Sequence, residues 1–91
     1  MTTLAVRHTV NDFDTWQAGF DGHEGGRRSH GATGYRILRD GNSVLALIDF
    51  PDADSALAFQ ADPSLREAMD KAGVVGAPDI SLWSEASREQ Y

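Results

Sequence analysis

From Thr3 to Thr9 the chain alternates, with Leu4, Val6, His8 and Val10 on one side and Ala5, Arg7 and Thr9 on the other. A period of two predicts a strand with one buried face. The period then lengthens: Phe13, Trp16, Phe20, His23, Arg27 and His30 recur at steps of three and four residues. On one helix these side chains would share an arc of roughly 100°. Asn11-Asp12 supplies the N-cap, and Asp14 puts a carboxylate in the first turn, where the helix dipole favours it. Interior glycine weakens a helix by about 1 kcal/mol relative to alanine. Gly25-Gly26 therefore marks a weak point, and the predicted helix runs over about 12–24 with a resumption towards 30. The stripe begins aromatic and ends in imidazole and guanidinium. Such a helix either lines a polar cavity or frays into solvent.

Alternation returns from Thr33 to Arg39, with Tyr35 and Ile37 opposite Arg36 and Leu38. Asp40-Gly41-Asn42 reads as a hairpin turn into a third strand, Ser43 to Phe50. That strand is apolar on both sides, Val44, Ala46, Ile48 and Phe50 against Leu45 and Leu47, which predicts cover above and below. Asp52 caps a second helical region carrying Ala56, Leu57 and Phe59. Asp62-Pro63 restarts it with proline at the first helical position, and Leu65, Ala68, Met69 and Ala72 form its buried stripe up to a stop at Gly73-Val74. The last strand is predicted at Asp79 to Ser84, followed by a polar tail at 85–91.

The order β-α-β-β-α-β predicts an α+β, ferredoxin-like fold: a four-stranded antiparallel sheet with helices on one face, in a single domain with its core at about 3–84. The uncovered face would carry leucines that a monomer avoids exposing. Association of two copies through their sheet faces, a homodimer, follows as the expectation.

Composition narrows the function. The net charge is −6, and the basic clusters Arg27-Arg28 and Arg36/Arg39 are too sparse to track phosphates, so no nucleic-acid partner is expected. No apolar run approaches the ~20 residues of a membrane span, and the first residues lack a signal-peptide core, so the expected location is cytoplasmic with no membrane partner. With zero cysteines, disulfides and thiolate chemistry are excluded. No phosphate-cradling glycine loop or serine-nucleophile elbow is present.

Val6-Arg7-His8-Thr9-Val10 followed by Asp12-Phe13-Asp14-Thr15-Trp16, with Phe20-Asp21-Gly22-His23, Gly34-Tyr35-Arg36 and Asp62-Pro63-Ser64-Leu65-Arg66-Glu67-Ala68-Met69, resembles the dimeric α+β-barrel superfamily, near its small antibiotic-biosynthesis-monooxygenase-like members. The resemblance spans about residues 3–84. It implies a dimeric barrel and, in each subunit, a ligand cavity between sheet and helices. Its members include cofactor-independent oxygenases, cyclases, isomerases and haem-degrading enzymes, and no catalytic residue transfers onto this chain by motif.

The residues themselves nominate a site. His8, on the apolar side of its strand, and His23, on the helical stripe, are the candidate catalytic bases. Trp16, Phe20 and Tyr35 offer flat faces to an aromatic ligand, with Tyr35 a possible hydrogen-bond donor. Arg27, His30 and Arg36 complete the candidate binding set, Arg36 as a holder of a phenolate or enolate. His8, His23 and Glu24 could in principle meet around a metal, but no two histidines have the four-residue helical spacing of a metal motif, so neither metal nor other cofactor is expected. The function these residues predict is a cofactor-independent enzyme, monooxygenase-like, in which histidine removes a proton from an aromatic or polyketide-like small molecule. A cyclase or isomerase on the same scaffold, or a non-catalytic binding protein, are the alternatives.

Overall fold

The opening alternation becomes β1 (Thr2–Val10), the strand about which the rest is arranged. A computed structural model describing residues 1–91 sets β1 between β3 (Ser43–Phe50) and β4 (Val74–Ser84), with β2 (Gly34–Asp40) outside β3. All three pairings are antiparallel, giving the order β2-β3-β1-β4 of the ferredoxin-like α+β fold. The β2–β3 hairpin turns at Gly41, whose φ of +59° lies where L side chains are strained.

Four helices cover one face: α1 (Phe13–Gly22), α2 (Glu24–Ser29), α3 (Ala53–Ala61) and α4 (Pro63–Lys71). Each longer helix is capped as its sequence predicts. Asp12 accepts a hydrogen bond from the Thr15 amide at 2.9 Å, Asp52 from that of Ser55 at 2.8 Å, and Asp62 from that of Ser64 at 2.9 Å.

Two expectations are corrected. The first helix breaks at His23, while Gly25 and Gly26 lie inside α2. The His23 amide turns back to the Phe20 carbonyl at 3.1 Å, tightening the last turn. After this break His23, just before α2, and Arg27, within it, still turn inward. The last strand begins at Val74, five residues before Asp79. Gly73, at φ +81°, reverses the chain directly after α4, and Val74 and Val75 pair with Val10 and Thr9. Register then shifts between Arg7 and Thr9, so that Gly76-Ala77-Pro78 bulges past His8. Glycine and proline, read as strand breakers, mark a bulge on an edge strand.

The core lies between sheet and helices, where Leu4, Val10, Val44 and Phe50 pack with Trp16, Ala56, Phe59 and Ala72. Full burial of side chains such as Leu4, Phe50 and Phe59 contributes about 1.5–3 kcal/mol each. On the uncovered face Leu45, Leu47 and Ala5 floor a shallow groove between Arg7, Asp79 and Trp83, the last 63% exposed. Asp49, the polar residue interrupting β3, is matched there by Thr3, whose hydroxyl donates to it at 2.8 Å. No helix is long and apolar enough to cross a membrane.

Candidate functional site

Between the sheet and helices α1, α2 and α4 lies a cavity of about 40 Å³. Val6, Ala46 and Ile48 form its floor, Trp16, Phe20 and Phe59 its aromatic walls, and Leu65, Ala68 and Met69 of α4 its roof. Three polar side chains interrupt this lining: His8, His23 and Arg27. The two histidines predicted as bases therefore converge on one space.

His8 is 7% exposed, and neither ring nitrogen has a hydrogen-bond partner. Its ring lies 5.3 Å from that of Trp16. Burial lowers its pKa below the ordinary histidine value of 6.5, so the ring is neutral at pH 7. An unsatisfied buried polar group costs about 1–3 kcal/mol, which makes His8 the most anomalous residue in the interior.

His23, half-buried at the α1–α2 break, has Nε2 3.2 Å from the Ser64 hydroxyl and its ring 6.0 Å from Phe59. Gly26 packs beneath it: a Cβ there would fall 2.6 Å from Nε2, so only glycine leaves the ring where it is. Its pKa is lowered by burial and by the neighbouring Arg27, an effect that Asp62 opposes.

Arg27 is 4% exposed. One guanidinium nitrogen donates to the Phe20 carbonyl at 2.6 Å, and the guanidinium carbon lies 3.7 Å from the Phe20 ring centroid and 5.3 Å from that of Tyr35. The ion pairs of the chain are Arg28–Glu24, His30–Asp62, Lys71–Glu67 and Arg88–Glu85, none of which includes Arg27. Burial lowers its pKa, yet arginine stays charged in proteins.

The remaining candidates lie off the cavity. His30 Nε2 donates to the Asp62 carboxylate at 2.8 Å, and its ring packs edge-on against Phe59, tying the end of α2 to the cap of α4. Asp62, bonded also by Ser64, has its pKa drawn down to about 2. Tyr35, 46% exposed, meets Phe20 edge-on at 4.9 Å and lines an outer cleft. Arg36 sits opposite Leu47 in the hairpin, on the uncovered side of the sheet. The expectation that Arg36 holds an anion inside the cavity is corrected by strand parity: Tyr35 and Ile37 take the helix side, so Arg36 must take the other. No three His, Asp or Glu side chains gather where a metal ion could be held.

The reading of the sequence missed Phe59 as a cavity wall and Ser64 as the partner of His23. The α4 stripe was legible, but its members roof a cavity, and none of that helix is fully buried.

A ferredoxin-like sheet enclosing a polar-edged cavity under its helices defines a class of small α+β proteins. The chain is similar in structure to SnoaB from Streptomyces nogalater, described as a cofactor-independent oxygenase, with a TM-score of 0.78, 17% identity and coverage of 96% of this chain and 94% of that one. A candidate antibiotic biosynthesis monooxygenase from Bordetella bronchiseptica superposes with a TM-score of 0.76 at 13% identity, covering 94% and 97%. Another from Nitrosomonas europaea gives 0.72 at 15%, covering 96% and 100%. No family profile and no curated protein matches the chain in sequence. The fold is therefore that of the antibiotic-biosynthesis-monooxygenase-type proteins, established through structure alone.

Proposed function

We propose that this protein is an oxygenase that works without a bound cofactor on a small, electron-rich aromatic molecule, with His8 as its base. The observation that carries this reading is the pair of unpartnered His8 nitrogens on a cavity walled by Trp16 and Phe20. A neutral imidazole there can take a proton from a phenol or an activated methylene. The resulting anion is stabilised by the new imidazolium and by the positive field of Arg27, both strengthened by exclusion of water. Such an anion can give electrons to dioxygen. An activated methylene then becomes a carbonyl, one oxygen atom remaining in the product and the other leaving as water with both methylene hydrogens. The likeness to a structure described as a cofactor-independent oxygenase supports this reading.

The cavity measures about 40 Å³, whereas a cavity that accepts benzene measures roughly 150 Å³, so an aromatic guest requires it to widen. Helix α4, with no buried residue, is the wall that yields, moving Leu65 and Met69 outward. We infer also that the working unit is a homodimer formed through the uncovered sheet faces.

The test is oxygen uptake with a panel of phenols and cyclic ketones bearing activated methylenes. His8→Gln should lower kcat by about 10²–10⁴-fold, the usual contribution of a placed base. Turnover that survives in His8→Ala overturns the proposal. Equal product formation without oxygen would identify a cyclase or isomerase, and recovery of every bound compound unchanged a binding module.

A further inference from the structure

We propose that Arg27 is a recognition site for a carboxylate, so that the guest is an aromatic acid, its ring in the inner cavity and its carboxylate on the guanidinium. This rests on reading the cavity as the substrate site.

Arg27 is a cation buried to 4% exposure without an anionic partner. The two carboxylates whose charge reaches Arg27, Glu24 and Asp21, are engaged elsewhere: Glu24 lies 3.5 Å from Arg28, and Asp21 accepts a hydrogen bond from Gln17 at 3.0 Å. A buried charge left without a partner is strongly destabilising, and native interiors seldom keep one. Of the five N–H donors of a guanidinium, this one directs one side-chain hydrogen bond within the protein, to the Phe20 carbonyl. Arg27 also lines two spaces at once, the inner cavity and the outer cleft beside Tyr35 and Thr33. Arg27 thus forms part of the wall of each. The Phe20 and Tyr35 rings, themselves 4.9 Å apart, lie on the same side of the guanidinium, and its remaining planar fork of N–H donors matches the two oxygens of a carboxylate.

A permanent charge fits this position better than a transient one. An oxyanion formed at His8 exists only during turnover, whereas a carboxylate compensates the buried cation throughout the bound state. Around it a chain of net charge −6 gathers His23, Arg27, Arg28 and His30 within one short segment.

The experiment titrates 2-hydroxybenzoate and its uncharged amide into Trp83→Phe protein, following the fluorescence of Trp16, whose ring lies 5.2 Å from that of Phe20. The acid should bind at least about tenfold more tightly than the amide, as loss of a charge-assisted bond implies. Arg27→Met should abolish the preference, and Arg27→Lys, which keeps the charge and loses the fork, should reduce it. Equal binding of acid and amide, or an undiminished preference in either variant, overturns the proposal. Retention of the preference in His8→Gln separates recognition from proton transfer. An acid preference in a wild-type protein that never consumes oxygen would sink the oxygenase reading and leave the carboxylate site standing.

Discussion

The unpartnered imidazole of His8 sets stability against chemistry within one residue. Replacing a buried unsatisfied group by an apolar one of similar shape removes its desolvation penalty. His8→Leu should therefore raise stability by about 1 kcal/mol in urea unfolding while eliminating turnover; a loss of stability of that size would show that the ring is held by favourable contacts. The pH dependence follows from the direction of the shift. The folded state holds His8 below 6.5 and the unfolded state does not, so protonation of His8 costs no stability above 6.5 and increasingly destabilises the fold as the pH falls below it. The acid limb of the rate profile should likewise lie below 6.5, and a midpoint above that value would contradict a buried neutral base. That His8 points inward was legible from the alternation of β1. That both nitrogens lack partners was not, because hydrogen bonding depends on neighbours remote in the chain. Arg27 shows the same division: its stripe position predicted the cavity, while its missing counterion emerges only when Glu24 turns to Arg28 and Asp21 to Gln17.

At the level of elements, the α2–α4 junction is the most informative. Asp62 was legible as the N-cap of α4 from Asp62-Pro63, but its bond to His30 spans 32 positions and no local pattern signals it. Asp62 thus caps one helix and fastens another. Its folded pKa of about 2 lies below its ordinary 3.8, so its contribution to stability is complete above 3.8 and disappears as the pH falls towards 2. Thermal melting across that interval should be steeper for the wild type than for Asp62→Asn, and identical profiles would show that the tie is energetically idle. The break at His23 and the early start of β4 escaped prediction for related reasons. Both rest on backbone geometry, a tightened turn at His23 and a positive φ at Gly73, which hydropathy periods do not encode.

For the whole molecule, the doubly apolar β3 predicts two covered faces, and one chain supplies cover for one. We propose that a second copy supplies the other, seating Leu45 and Leu47 against their equivalents. Leu47→Lys should shift sedimentation from dimer to monomer with the fold intact by circular dichroism; an unchanged wild-type monomer at all concentrations would refute the dimer. The order of elements along the chain and the helix-bearing face of β1 were legible because they follow from the hydrophobic periods. The cavity was expected through resemblance, and its small volume was not, since volume depends on how α4 settles. The bulge in β4 has one more consequence. Pro78 and the detour around it interrupt the outer margin of the sheet on that side, while Arg36, Arg39 and Asp40 charge the margin at β2. Both borders thus carry features that disfavour pairing with a further strand, so crowding this protein should not readily drive it into fibres.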